Sequence, residues 1–99
     1  MNQLIKQVEQ WSIDKNLHNG NPDRQALKFY EEAGEIGAAL SRGNLEALKD
    51  GIGDTVVTLI ILAQQHGWTL QECLQFAYDE IKGRKGETIN GTFVKESDL

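Results

Sequence analysis

Apolar residues recur at helical spacing along most of the chain. Leu4, Ile5, Val8 and Trp11 fall at intervals of three and four, which predicts an amphipathic helix over residues 2–15 with Asn2 as its N-cap. A polar loop, Asn16 to Asn21, follows. Pro22, the only proline, then sits where a second helix starts, since the first turn leaves an N–H unpaired that proline lacks anyway. This helix is expected to reach about Ser41, with Arg42 and Gly43 as a basic last turn and a left-handed stop. Asn44 caps a third helix that continues to about His66 and closes at Gly67. Its second half, Val56 to Ala63, is apolar nearly all round, more than a small chain readily covers. A subunit interface is therefore expected there, the alternative being the central core helix of a monomer. Thr69 and Glu72 form a capping box opening a fourth helix, with Leu70, Cys73, Leu74, Ala77 and Ile81 turned inward. Gly83 and Gly86 end the helical pattern, and an Asn90-Gly91 turn between Ile89 and Phe93 suits a small hairpin or a docked tail. The expected fold is all-α: one four-helix, bundle-like domain over residues 1–99, with a short irregular or hairpin C-terminal tail.

Acidic residues interrupt this pattern where the second and third helices meet. Glu32 and Glu35 are spaced i, i+3, and Asp50 and Asp54 i, i+4, so each pair shares one helix face. Glu35 lies eight residues before Gly43 and Asp50 seven after it, while Glu32 and Asp54 are each eleven away. An antiparallel hairpin would gather all four at one level. At an effective dielectric near 20, two like charges 4 Å apart repel by roughly 4 kcal/mol, so a cation is needed to offset them. Hard divalent cations with oxygen ligands are the natural candidates, and Mg²⁺ in particular shares its shell with water and substrate phosphates. A solvated acidic face is the alternative. The apolar pattern argues against it, because Leu27, Tyr30, Ile36 and Leu40 alternate with the acids and set the acidic face beside the buried one. Gly51 and Gly53, each unfavourable inside a helix, suggest close helix approach or room for a ligand.

Composition narrows the function classes. With 99 residues and a net charge of −5, the chain is one domain lacking the basic surface that nucleic-acid binding requires. No signal-like segment opens it, and the longest apolar run falls far short of the roughly 20 residues that span a bilayer, so no membrane partner is expected. The single cysteine, Cys73, fits a core position, and the context reads as cytoplasmic. His18 reads as a surface histidine with no role, and Trp11 as either a core anchor or a ring that stacks on a base.

Glu31-Glu32-Ala33-Gly34-Glu35, followed by Asp50 and Asp54, resembles the signature of the MazG-like all-α nucleoside triphosphate pyrophosphohydrolases, Glu-Glu-x-x-Glu followed by Glu-x-x-Asp. The first half matches in full and Asp54 matches the final Asp. Gly51 stands where the family usually has Glu, with Asp50 the nearest acid. The likeness extends to the Trp11 helix, the Pro22 helix start, the Gly67 turn and the stretch Tyr78 to Gly86. It implies Mg²⁺-dependent hydrolysis of a nucleoside or deoxynucleoside triphosphate to the monophosphate and pyrophosphate, Mn²⁺ substituting, by a homodimer or homotetramer. By the same resemblance Glu32, Glu35 and Asp54 are metal ligands, Asp50 the fourth, and Glu31 a base that orients the water, with Glu31 and Glu32 the catalytic carboxylates. Asp79, Lys82 and Arg84 would hold the phosphates and Trp11 would contact the substrate, although Lys82 and Arg84 also fit an ordinary basic helix C-terminus. The rival reading is a non-catalytic helical oligomerisation or regulatory module with a degenerate site, and Gly51 is the feature that supports it.

Overall fold

Capping side chains set the element boundaries. In the computed structural model, which describes residues 2–99, the chain forms α1 (Asn2–Asp14), α2 (Pro22–Arg42), α3 (Leu45–Gln64) and α4 (Leu70–Ile81), then strands β1 (Gly86–Ile89) and β2 (Thr92–Lys95). The Asn21 side chain accepts from the Asp23 N–H at 2.8 Å, with Pro22 as the first helical residue of α2. Gly43 closes α2 at φ 65°, and the Asn44 side chain accepts from the Ala47 N–H at 3.1 Å to open α3. Thr69 Oγ1 accepts from the Glu72 N–H at 3.1 Å, as the capping-box spacing predicts. Asn90 and Gly91, at φ 52° and 80°, make a two-residue turn that pairs Ile89 with Thr92 and Gly86 with Lys95. Positive φ at both central residues matches the right-handed twist of the flanking strands.

The α2–α3 pair is an antiparallel hairpin folded at Gly43, and it is the most extensive packing in the chain. Gly51 is buried at its contact, where an added Cβ would sit 3.2 Å from Ile36 Cγ1. Gly53, two residues on, faces open space. Three glutamine amides bond across elements, one within this pair and two from the C-terminal end of α3 to its surroundings. Gln25 Nε2 donates to the Thr58 carbonyl at 3.0 Å, Gln64 Nε2 to that of Glu9 at 3.1 Å, and Gln65 Nε2 to that of Leu17 at 3.0 Å. Each gives a part-buried side-chain N–H an acceptor in another element, where an unpaired donor would carry a desolvation cost.

The fully buried apolar residues are Ala39, Ile60, Ile61 and Ala63, joined by Ser12 and Thr58. The second half of α3 packs against α1 and α2 and buries Ile60, Ile61 and Ala63, while Val56 stays exposed and Val57, Leu59 and Leu62 are half-buried. α4, by contrast, is anchored only through its first turns, Leu70 and Cys73 being half-buried, and its apolar side chains from Leu74 onward do not turn inward but stand exposed. Among the described residues, no helix is long and apolar enough to cross a membrane.

The two α3 glycines respond differently to a methyl group. Gly53→Ala should raise stability by up to about 1 kcal/mol, the helix-propensity gain at an open position. Gly51→Ala should gain less or lose stability, because its Cβ must displace Ile36. Urea denaturation of the two variants checks this, and equal gains would show that the helices do not touch at Gly51.

Candidate functional site

Folding at Gly43 brings the acids of α2 and α3 into one neighbourhood, with Glu32 at its centre. Its side chain is 12% exposed. One oxygen, Oε1, lies 3.5 Å from Lys28 Nζ, while the other, Oε2, is buried with no hydrogen-bond partner. The electrostatics show which acids sense one another. The Glu32 charge is the main cause pushing the Glu35 pKa above its ordinary value, aided by burial and by Asp54. Asp54 is likewise pushed up, first by desolvation and then by the carboxylates of Asp50 and Glu32. Glu31, more exposed, points an oxygen at Lys28 Nζ from 3.5 Å.

Lys28 is the residue that sequence reasoning missed. It sits between Glu31 and Glu32, which hold its pKa above the ordinary lysine value, and it relieves part of the repulsion on Glu35 and Asp54. The i, i+3 and i, i+4 spacings to Glu31 and Glu32 were a readable signal for it. Arg24, Lys28 and Glu32 follow at intervals of four along one stripe of α2. That stripe lines a cleft of about 590 Å³ whose walls also include Asp54, Trp11, Asn16 and Gln65.

The predicted site residues thus divide. Glu32, Glu35, Asp50 and Asp54 are neighbours, and Trp11 joins Glu32 and Asp54 in the cleft wall, half-exposed instead of serving as a core anchor. His18 is half-buried with Nδ1 enclosed and unpartnered, so it is no free surface histidine. Asp79, Lys82 and Arg84 do not line the cleft. Lys82 Nζ bonds Asp79 at 2.9 Å on the exposed part of α4, and Arg84 follows the helix end. This distance from the acids follows from how little of α4 packs on the bundle.

A hard divalent cation suits the donor set in chemistry: oxygen ligands, a surplus of negative charge and one buried oxygen lacking a donor. The carboxylates form two adjoining pairs and no closed cage. Among the described residues, no group of three or more His, Cys, Asp or Glu side chains is arranged to hold a metal ion as it stands. Glu35 and Asp50 are exposed and have the rotamer freedom to close the set.

No protein-family model matches the chain, and no solved structure matches it. The chain is similar to a protein of Haemophilus phage HP1 (strain HP1c1) described as an uncharacterized 18.2 kDa protein in the rep-hol intergenic region. The two are 40% identical over 67 residues, which is 67% of this chain and 41% of the phage protein, so the chain spans less than half of that relative's length.

Carboxyl pKa values raised above the ordinary 4.5 for Glu35 and 3.8 for Asp54 make stability depend on pH. The folded state holds these protons more tightly than the unfolded chain, so their favourable contribution is complete below the ordinary values and is lost as pH rises through the raised ones. Glu35→Gln should therefore raise the Tm of the metal-free protein above that window and flatten the fall in Tm with rising pH. Thermal denaturation of both proteins between pH 3.5 and 8, at settings of about half a unit, tests this. An unchanged pH profile in the variant would show that Glu35 and Glu32 do not repel.

Proposed function

We propose that the chain is a MazG-type, Mg²⁺-dependent pyrophosphohydrolase of nucleoside or deoxynucleoside triphosphates. The observation that carries the reading is the buried, unpartnered Oε2 of Glu32 among Glu35, Asp54 and Asp50, at the wall of a cleft that also holds Lys28, Arg24 and Trp11. Acids and bases set side by side in a concave site are a common mark of reaction centres.

Glu32, Glu35 and Asp54 would hold the metal, with Asp50 as a fourth ligand. Such an ion supplies charge neutralisation on the phosphates and a water of lowered pKa. Glu31, exposed on α2 with its carboxylate 3.5 Å from Lys28 Nζ, would accept the proton that the attacking water gives up. Oxygen from the water bonds to phosphorus, the bridge between the α- and β-phosphates breaks, and monophosphate and pyrophosphate leave. Lys28 and Arg24 offer cations along the cleft to the phosphate chain, and the indole of Trp11 offers a face to the base. In this scheme Asp79, Lys82 and Arg84 reach substrate only if α4 is repositioned or supplied by another copy.

A second reading, a non-catalytic helical module, is favoured by Gly51. It leaves α3 without a carboxylate at that position and packs instead on Ile36.

Pyrophosphate release separates the two. Purified protein with each triphosphate and Mg²⁺ should produce pyrophosphate, lose activity in chelator and regain it with Mg²⁺ or Mn²⁺. Glu35→Gln should lower kcat about 100- to 1000-fold, the range for removal of a key electrostatic group, and Asp50→Asn should weaken Mg²⁺ binding. Orthophosphate as the product, or full turnover in Glu35→Gln, would contradict the proposal. Absence of metal-dependent turnover with every triphosphate would favour the non-catalytic module.

A further inference from the structure

The cleft runs from the acids to an end lined by side-chain amides. Asp54 and Gln65 both border it, eleven residues apart, and at 1.5 Å per helical residue that separates them by about 16 Å along α3. Two bonds hold α1 and the turn after it over the far end: Gln64 Nε2 donates to the Glu9 carbonyl at 3.1 Å, and Gln65 Nε2 to that of Leu17 at 3.0 Å. Trp11, which lies between Glu9 and Leu17 in the chain, borders the cleft and is 47% exposed. A backbone carbonyl only accepts, so the bond to Leu17 fixes the NH2 end of the Gln65 amide and leaves Oε1 as its other end. That oxygen is enclosed and has no donor. Asn16, next to Leu17, offers the complement: its Oδ1 accepts from Asn19 Nδ2 at 2.7 Å, which leaves its own NH2 as a donor at the cleft. Enclosed acceptors in folded chains are nearly all paired, by the chain itself or by something bound to it.

We infer that Gln65 is a specificity-determining residue that reads the edge of a nucleobase, its Oε1 accepting an N–H from the base while the NH2 of Asn16 donates to the acceptor beside it. The inference rests on the pyrophosphohydrolase reading for the class of ligand, with the phosphates at the acids and the base at the amide end. Stacking on Trp11 binds without choosing, because every base has a π-face. Edge hydrogen bonds choose, since a site built to accept an N–H is left with an unpaired group when the ligand lacks one. A phosphate or sugar phosphate confined to the acids does not satisfy Gln65, because ionised phosphate oxygens offer no donor. The requirement is an edge N–H with an acceptor next to it. Cytosine and adenine meet it through the exocyclic amino group, and thymine, uracil and guanine through the ring N–H.

Isothermal titration calorimetry of the full chain in Mg²⁺ tests it, with the four 2′-deoxynucleoside monophosphates and 2-deoxyribose 5-phosphate as probes. At least one nucleotide should bind about tenfold or more tighter than the sugar phosphate. Gln65→Met should remove that advantage and leave the sugar phosphate unchanged, a base-dependent loss that general damage to the fold would not produce. Replacing the edge N–H of the preferred base by N-methyl should weaken binding to the unmodified protein by a similar factor. This arm decides if Gln65→Met fails to fold. Preference for cytosine or adenine assigns the contact to the amino group, and preference for thymine or guanine to the ring N–H. Four nucleotides that bind no tighter than the sugar phosphate, or a methylated base that binds as well as its parent, overturn the inference. Pyrophosphate release without base-dependent binding would sink it and leave the pyrophosphohydrolase reading standing. Base-dependent binding through Gln65 without turnover of any triphosphate would do the reverse.

Discussion

The close approach of α2 and α3 at Gly51 and Ile36 is the constraint on which the other features rest. A Cβ at position 51 would meet Ile36 Cγ1 at 3.2 Å, so that side chain would have to give by a few tenths of an ångström. Gly43 fixes the fold-back, and the caps at Asn21 and Asn44 fix where each helix begins. Together these set the axial register that places Glu32 and Glu35 near Asp50 and Asp54. The glycine thus has two consequences at once: it permits the contact, and it removes the carboxylate that a Glu at that position would bring.

Charge balance at the site follows from that geometry. The neighbouring Glu32 carboxylate leads in raising the proton affinity of Glu35, while at Asp54 desolvation comes first and the charges of Asp50 and Glu32 add to it. One lysine, Lys28, offsets part of this from the edge, bonded loosely at 3.5 Å to both Glu31 and Glu32. Exposed pairs of that kind contribute little to stability, so the lysine moderates the repulsion without abolishing it. The buried Oε2 of Glu32 keeps an acceptor with no donor, which is a cost that a bound cation would relieve.

Much of the architecture was legible because its signals are local. Asn21-Pro22, Gly43-Asn44, Thr69 with Glu72, and Asn90-Gly91 all act through backbone groups a few residues away, and each element starts or turns where they predict. The nearness of the acids was legible from their distances to Gly43. What periodicity does not encode is which apolar face meets which neighbour. Val56 to Ala63 read as surplus apolar area, yet α1 and α2 cover much of it, whereas the regular stripe of α4 read as core and is left uncovered. Trp11 similarly lies at the cleft, because the fully buried position on α1 is Ser12 beside it. Lys28 was overlooked since its importance depends on the acids being clustered, a tertiary fact.

The central claim is that carboxylates from both helices form a single cation site. Paramagnetic broadening by Mn²⁺ in ¹⁵N-resolved NMR of the unmodified protein addresses it without any assumption about substrate. The account predicts that substoichiometric Mn²⁺ broadens the amides around Glu32 and Glu35 on α2 together with those around Asp50 and Asp54 on α3, and that excess Mg²⁺ restores them. Broadening confined to one helix, or spread over unrelated acids such as Glu72, Asp79 and Asp98, would contradict it.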